Sequence, residues 1–175
     1  MSFRIVGRQT RASGIIVDFE RIDIEGSDGE VHERDVIRHP GGVAIVVVDD
    51  GDLVLVRQYR VAIDSHILEI PAGKLDGTED PSAAAERELG EELGMSGRLE
   101  SLGSMTVSPG YTDEIIHLFE AVDIVVGRRD PRGAEEKTAE VVRMPVTEAL
   151  DKIDRGEITD AKTQIALMRW ERKKR

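Results

Sequence analysis

Between Gly73 and Met95 the chain reads GKLDGTEDPSAAAERELGEELGM, and this stretch constrains the fold more than any other. Glu88, Glu91 and Glu92 fall within five residues. On a helix from Pro81 to Leu93, Glu88 and Glu92 stand i,i+4 and Glu91 stands i+3 from Glu88, so all three carboxylates share one face. At about 4 Å and an effective dielectric near 20, each like-charge pair costs roughly 4 kcal/mol, and a divalent cation turns that repulsion into attraction. The remaining faces suit a core. Ala85, Leu89 and Leu93 recur every four residues as an apolar stripe. Asp80 before Pro81 has the form of an N-cap followed by proline at the first helical position, and Gly94 that of a C-terminal cap.

Composition sets the outer limits. A chain of 175 residues suits one domain with a small appendage and can bury a sizeable core. A net charge of −11 argues against broad contact with nucleic acid or anionic membrane. The absence of cysteine excludes disulfides, thiolate catalysis and sulfur-ligated metals, as befits a reducing compartment. The opening residues MSFRIVGRQT lack the apolar segment of a secretory signal, and the aliphatic run Val43–Val48 is far too short to span a bilayer, so a cytoplasmic location is expected.

Two regions are expected. Residues 1–40 read as a small antiparallel β unit: Ile22 and Ile24 alternate with charged residues, Gly26-Ser27-Asp28-Gly29 turns the chain, and Val31–Arg38 returns, with an earlier strand at Arg4–Gly7 or Gly14–Phe19. Residues 41–175 form the main domain. Val43–Val48 is a β-branched run suited to a strand buried on both faces, and Leu53–Tyr59, Ile67–Ile70, Arg98–Val107, Ile115–Val122 and Glu140–Met144 are further strands. Thr147–Arg155, capped by Thr147 and ended by Gly156, and Asp160–Lys173 read as helices. This succession predicts a mixed sheet covered by helices on both faces.

Gly73, five residues, Glu79, seven residues, then Arg87-Glu88-Leu89-Gly90-Glu91-Glu92-Leu93-Gly94-Met95 resembles the Nudix box at all nine specified positions. The resemblance implies an αβα sandwich and a loop-helix-loop unit that binds Mg2+ or Mn2+ and hydrolyses a diphosphate linked to another group. Leu53–Arg60, Leu68–Gly73 and Ser108–Glu114, with Pro109 about fifteen residues beyond the box, look like the ADP-ribose pyrophosphatase branch.

Carried over residue by residue, the resemblance implies Glu88, Glu91, Glu92 and the Ala72 carbonyl as metal ligands. It implies that Arg87 orients the glutamates and that Glu79 holds the loop. Arg60, whose planar fork suits a phosphate or terminal ribose, and Glu69, beside the box entry, are substrate-binding candidates. So are Glu114 after the proline turn and the pair Arg34 and Asp35 at the adenine end. The general base is expected on the loop Arg132–Lys137, which offers Glu135 and Glu136, with Glu91 as the base if that loop is built differently. His32, His39, His66 and His117 have no ligand spacing with one another.

The expected activity is hydrolysis of ADP-ribose or a similar nucleoside diphosphate sugar to AMP and a sugar phosphate. The alternatives are another nucleotide, such as GDP-mannose or a damaged nucleoside triphosphate, or a Nudix module that binds ADP-ribose without cleaving it. RNA decapping is disfavoured by the lack of a basic stripe. A homodimer through the N-terminal β unit is expected, with no nucleic-acid or membrane partner.

Overall fold

A computed structural model describes residues 2–132 and 134–174, the side chains of Ala134 and Glu135 lying outside the description. The chain divides into two compact units, one running to Gly41 and also taking in Thr106–Ile115, the other holding Gly42–Met105 and Ile116 onward.

The small unit is a three-stranded antiparallel sheet of β1 (Arg4–Ser13), β2 (Asp18–Glu25) and β3 (Val31–Arg38), in that order. The first strand, expected as a shorter segment on either side of Gly14, is one ten-residue strand kinked at two register shifts. The turn at Pro109 belongs to this unit. Ile37 N donates to the Tyr111 carbonyl at 2.7 Å, and Asp113 accepts from Arg38 Nη1 and the His39 N–H at 3.0 Å each.

The large unit is built on β4 (Gly42–Asp49) and β5 (Asp52–Arg60), joined by a tight turn and paired only at Val48–Leu53 and Asp49–Asp52. Beyond that point they splay, and the segment from Ser65 to Lys74 fills the gap. Its first half, β6 (Ser65–Glu69), pairs with β5, and its second, β7 (Ala72–Lys74), pairs with β4. The sheet is completed by β8 (Met95–Thr106), β9 (Ile115–Val126) and β10 (Glu140–Pro145) in the order β10-β5-β4-β9-β8, with β4 and β9 parallel.

Alternation along β4 and β5 explains the layers. Val43, Ile45, Val47, Val54 and Val56 face Ala84, Ala85, Leu89 and Leu93 of the glutamate helix, α1 (Pro81–Glu88) and its continuation. Ala44, Val46, Leu53 and Leu55 face Ala149 of α3 (Val146–Asp154) and Ala166 and Leu167 of α4 (Ala161–Lys174). The result is helix, mixed sheet, helix, as the strand and helix succession predicts.

Three local features depart from expectation. The start of α3 is not capped by Thr147; Pro145 occupies the cap position and supplies no side-chain bond. The charged loop before β10 holds a short helix, α2 (Ala134–Thr138). The glutamate helix is regular only to Glu88, and Leu89–Leu93 forms a wider π-helical turn before Gly94 closes it in the left-handed region at φ 66°. A Cβ on Gly94 would overlap the backbone of Arg128 and Arg129, so glycine is required there on two counts.

Candidate active site

The site lies where the splayed strands deliver β7 to the end of α1. Asp80 caps the helix as expected, accepting from Ser82 N and Ala83 N at 2.9 and 3.3 Å. Glu88 lies so close over Gly73 that a Cβ on that glycine would overlap the carboxylate. Ala72 N donates to Glu92 Oε2 at 3.0 Å, bringing the backbone of the entering loop into the glutamate cluster.

Arg87 holds this arrangement together. It donates from Nε and Nη2 to both Glu79 oxygens at 3.1 and 3.0 Å, from Nη1 to Glu88 at 2.6 Å, and to the Lys74 carbonyl at 3.2 Å. Glu79 in turn accepts from Asp76 N, fixing the loop. The hydrogen bond from Arg87 holds the Glu79 carboxyl below its ordinary range.

Glu88, Glu91 and Glu92 are all buried, and Arg87, already paired with Glu79, together with Arg132 at the edge does not neutralise them all. Burial pushes the Glu92 carboxyl up to about 8; Glu88, Glu69 and Glu136 add to the rise, and the Ala72 N–H opposes it. Glu88 is also raised by burial, against the pull of Arg87. Glu91 Oε2 is 3.6 Å from Arg87 Nη1, and Oε1 is 3.1 Å from Arg132 Nη1. Despite that closeness Glu91 Oε1 is buried and makes no hydrogen bond among the described residues.

Among the described residues no three carboxylates converge tightly on one point. The wider π turn and the separate partners of each glutamate account for the difference from three side chains stacked on one regular helical face. The donor set remains all oxygen, desolvated and under-neutralised, which fits a hard divalent cation.

Around this centre lie the other candidates of the large unit. Arg60, at the end of β5, bonds Glu69 through Nε and Nη2, each at 2.7 Å, and its side chain is 37% exposed. Glu69 is the second substrate-binding candidate beside the box entry. It is fully buried and its carboxylate is taken up by Arg60 and Lys162. Glu136, on α2, accepts from Arg132 N at 2.9 Å and is near enough to raise both Glu88 and Glu92. Arg129 holds that helix end through the Glu136 and Ala139 carbonyls, both at 3.3 Å. The Glu135 side chain lies outside the described residues.

Arg34, Asp35 and Glu114 belong to the small unit. Arg34 donates to the Glu33 carbonyl at 2.8 Å, Asp35 is 3.6 Å from Arg21, and Glu114 is 3.6 Å from His39. Residues without a sequence-based role also stand in the large unit's network: Asp160, Lys162 and Thr163 at the start of α4, and Arg132 opposite Glu91. The expected helix opening at Asp160 was the one legible sign among them.

An αβα fold that sets buried, under-neutralised carboxylates against a glycine turn, with arginines on their rim, is the architecture of a divalent-cation phosphohydrolase. The NUDIX domain model matches residues 38–165, and the chain belongs to the Nudix family, whose hydrolases generally require a divalent metal. It is 34% identical over 166 residues to the ADP-ribose pyrophosphatase of Bacillus subtilis, across 94% of this chain and 90% of that one. It is 38% identical over 157 residues to a methanol dehydrogenase activator of Bacillus methanolicus, across 89% and 85% of the two chains. A solved structure described as an ADP compounds hydrolase superposes with a TM-score of 0.85 at 25% identity, over 98% of this chain and 94% of that one.

Proposed function

We propose that this chain is a magnesium- or manganese-dependent Nudix pyrophosphohydrolase that cleaves ADP-ribose, or a similar nucleoside diphosphate sugar, to AMP and a sugar phosphate. The observation that carries the reading is the excess negative charge of Glu88, Glu91 and Glu92, buried against Ala72 and Gly73 with Arg87 bonded to Glu88 and Arg132 at their edge. These three carboxylates and the Ala72 carbonyl would hold the cation. When bound, it neutralises diphosphate oxygens and lowers the pKa of water.

The chain's own residues supply the rest. Arg87 fixes Glu88 and the loop through Glu79, so the ligands are oriented before substrate arrives. Arg60 presents the outer edge of its guanidinium to the substrate's anionic end. Glu136 accepts the proton of the attacking water as its oxygen bonds to phosphorus; the bridging P–O bond breaks and the bridging oxygen leaves on the second phosphate. Arg34, Asp35 and Glu114 are assigned to the adenosine end.

A magnesium-supplemented panel of ADP-ribose, GDP-mannose and nucleoside triphosphates tests the substrate, with AMP from ADP-ribose as the expected product. Turnover of another nucleotide without AMP from ADP-ribose would reject the assignment, and tight ADP-ribose binding without any turnover would favour a pure binding module. For the base, Glu136→Gln should lower kcat by about 100-fold with little change in KM, the scale of a lost proton acceptor. Glu135→Gln should leave kcat near the parent value; the reverse pattern would move the role to Glu135.

The small unit also supports a homodimer. Ile22 is the one buried apolar residue in its three described strands, while Phe3, Ile5, Ile16 and Val31 are each about half exposed or more. A three-stranded sheet with so little core needs a second surface, and an isologous partner supplies one without a new gene product. Light scattering should give twice the chain mass of 19.3 kDa, and a single-chain mass would defeat the dimer. A cysteine-free chain with this substrate class is assigned to the cytoplasm.

A further inference from the structure

The start of α4 carries a cation that the reaction scheme leaves unused. The Lys162 side chain is only 12% exposed, and its ammonium bonds Glu69 Oε2 and, at 2.9 Å, Asp160 Oδ1. Glu69 is wholly buried, where an ionised carboxylate survives only if its charge is matched and its oxygens are satisfied. Two cations share it. Arg60 approaches with Nε and Nη2 in the parallel geometry of a fork on a carboxylate, which commits two of the five guanidinium donors. The other three make no hydrogen bond among the described residues, and the side chain keeps 37% of its surface exposed.

The placement of Lys162 is itself enforced. Asp160 caps α4, accepting from Thr163 N at 2.9 Å and from the Thr163 hydroxyl at 2.5 Å. The Thr163 oxygen accepts in turn from Ile70 N at 2.9 Å, so the helix start is bolted to the residue after Glu69. Two residues further along, Ala72 N–H reaches Glu92. One four-residue segment, Glu69 to Ala72, therefore touches Arg60 at one end and the glutamate cluster at the other, and α4 holds it from behind.

Charge decides what Lys162 does there. With Lys162 in place, its charge and that of Arg60 together balance Glu69 and Asp160. Without it, Arg60 alone faces both carboxylates, and an incoming phosphate meets a cluster that is already net negative. We infer that Lys162 is a positioning residue for substrate affinity, acting through Glu69 to keep Arg60 oriented and electrostatically available to a phosphate of the nucleoside diphosphate. The inference rests on the assignment of Arg60 to substrate proposed above.

The test compares Lys162→Met, Arg60→Ala and the double variant, each in the full chain with magnesium. Lys162→Met should raise KM for ADP-ribose about tenfold, the size of one weakened charge-assisted hydrogen bond, with kcat nearly constant. It should add nothing in the Arg60→Ala background, and Lys162→Arg should restore most of the affinity. The dissociation constant for imidodiphosphate, read by calorimetry, should show the same pattern without any turnover. If Lys162→Met is insoluble, Lys162→Gln removes the charge while keeping a donor and enters the same comparison. An unchanged KM and dissociation constant, with only the melting temperature lowered, would reduce Lys162 to a structural residue. An equal loss in the Arg60→Ala background would also overturn the inference. A parent enzyme inert to ADP-ribose but showing the calorimetric pattern would reject the substrate and leave the positioning role standing.

Discussion

Glu92→Gln is expected to lower kcat on ADP-ribose by on the order of 1,000-fold while making the metal-free protein more stable at pH 8. Both effects have one origin. Glu92 is the most buried of the three glutamates, and its carboxylate accepts the Ala72 N–H while facing the negative charge of Glu88, Glu69 and Glu136. A glutamine keeps the shape and can still accept from Ala72. It removes the charge that a cation would need, so transition-state stabilisation falls while contacts to the rest of the substrate persist. In the absence of metal the same change removes a buried, poorly matched anion, which relieves the folded state. The measurements are steady-state kinetics with magnesium and urea unfolding in EDTA. Turnover within tenfold of the parent, or a variant less stable than the parent in EDTA at pH 8, would remove Glu92 from the role assigned to it.

The glutamate helix was legible because its signals are local. Asp80 and Pro81 mark its start, Gly94 its end, and the four-residue apolar stripe its buried side, all within fifteen residues of chain. The alternation that sorts β4 and β5 between two helical layers is equally local. What escaped the sequence depends on distance or on competition. Lys162 meets Glu69 across 93 residues, and no spacing rule connects them. Glu69 reads as a substrate-binding candidate because its neighbours in the chain do not show that Arg60 and Lys162 both close on it. The π turn at Leu89–Leu93 has no propensity signature either; it accompanies the close approach of Gly94 to Arg128 and Arg129, a tertiary contact. Pro145 displaced Thr147 as the cap because the extended backbone at φ −51°, ψ 138° falls two residues earlier than the side-chain chemistry suggested.

Metal-free protein should lose stability as pH rises from about 4.5 to 8, and saturating magnesium should flatten or reverse that slope. A carboxyl whose folded pKa stands above its unfolded value takes up a proton on folding. Its penalty is absent below the unfolded pKa, grows through the interval, and is complete above the folded pKa. For Glu92 the interval runs from 4.5 to about 8, worth up to about 5 kcal/mol at 1.36 kcal/mol per pH unit. Glu88 is displaced the same way by burial and adds to the slope. The strongly depressed acids act in a different window. Glu100, held at about 2 by Lys173 and Arg98, and Glu157, held at about 2 by Lys152 and Arg155, lose their contribution only as pH falls from 4.5 towards 2. A bound divalent cation favours the ionised carboxylates, so its stabilisation must increase with pH where the metal-free protein weakens. Urea midpoints collected across this range in EDTA and in magnesium chloride separate the two curves. Parallel curves would mean that the cation does not bind at Glu88 and Glu92, because only binding elsewhere would leave their titration untouched while stabilising the fold equally at every pH.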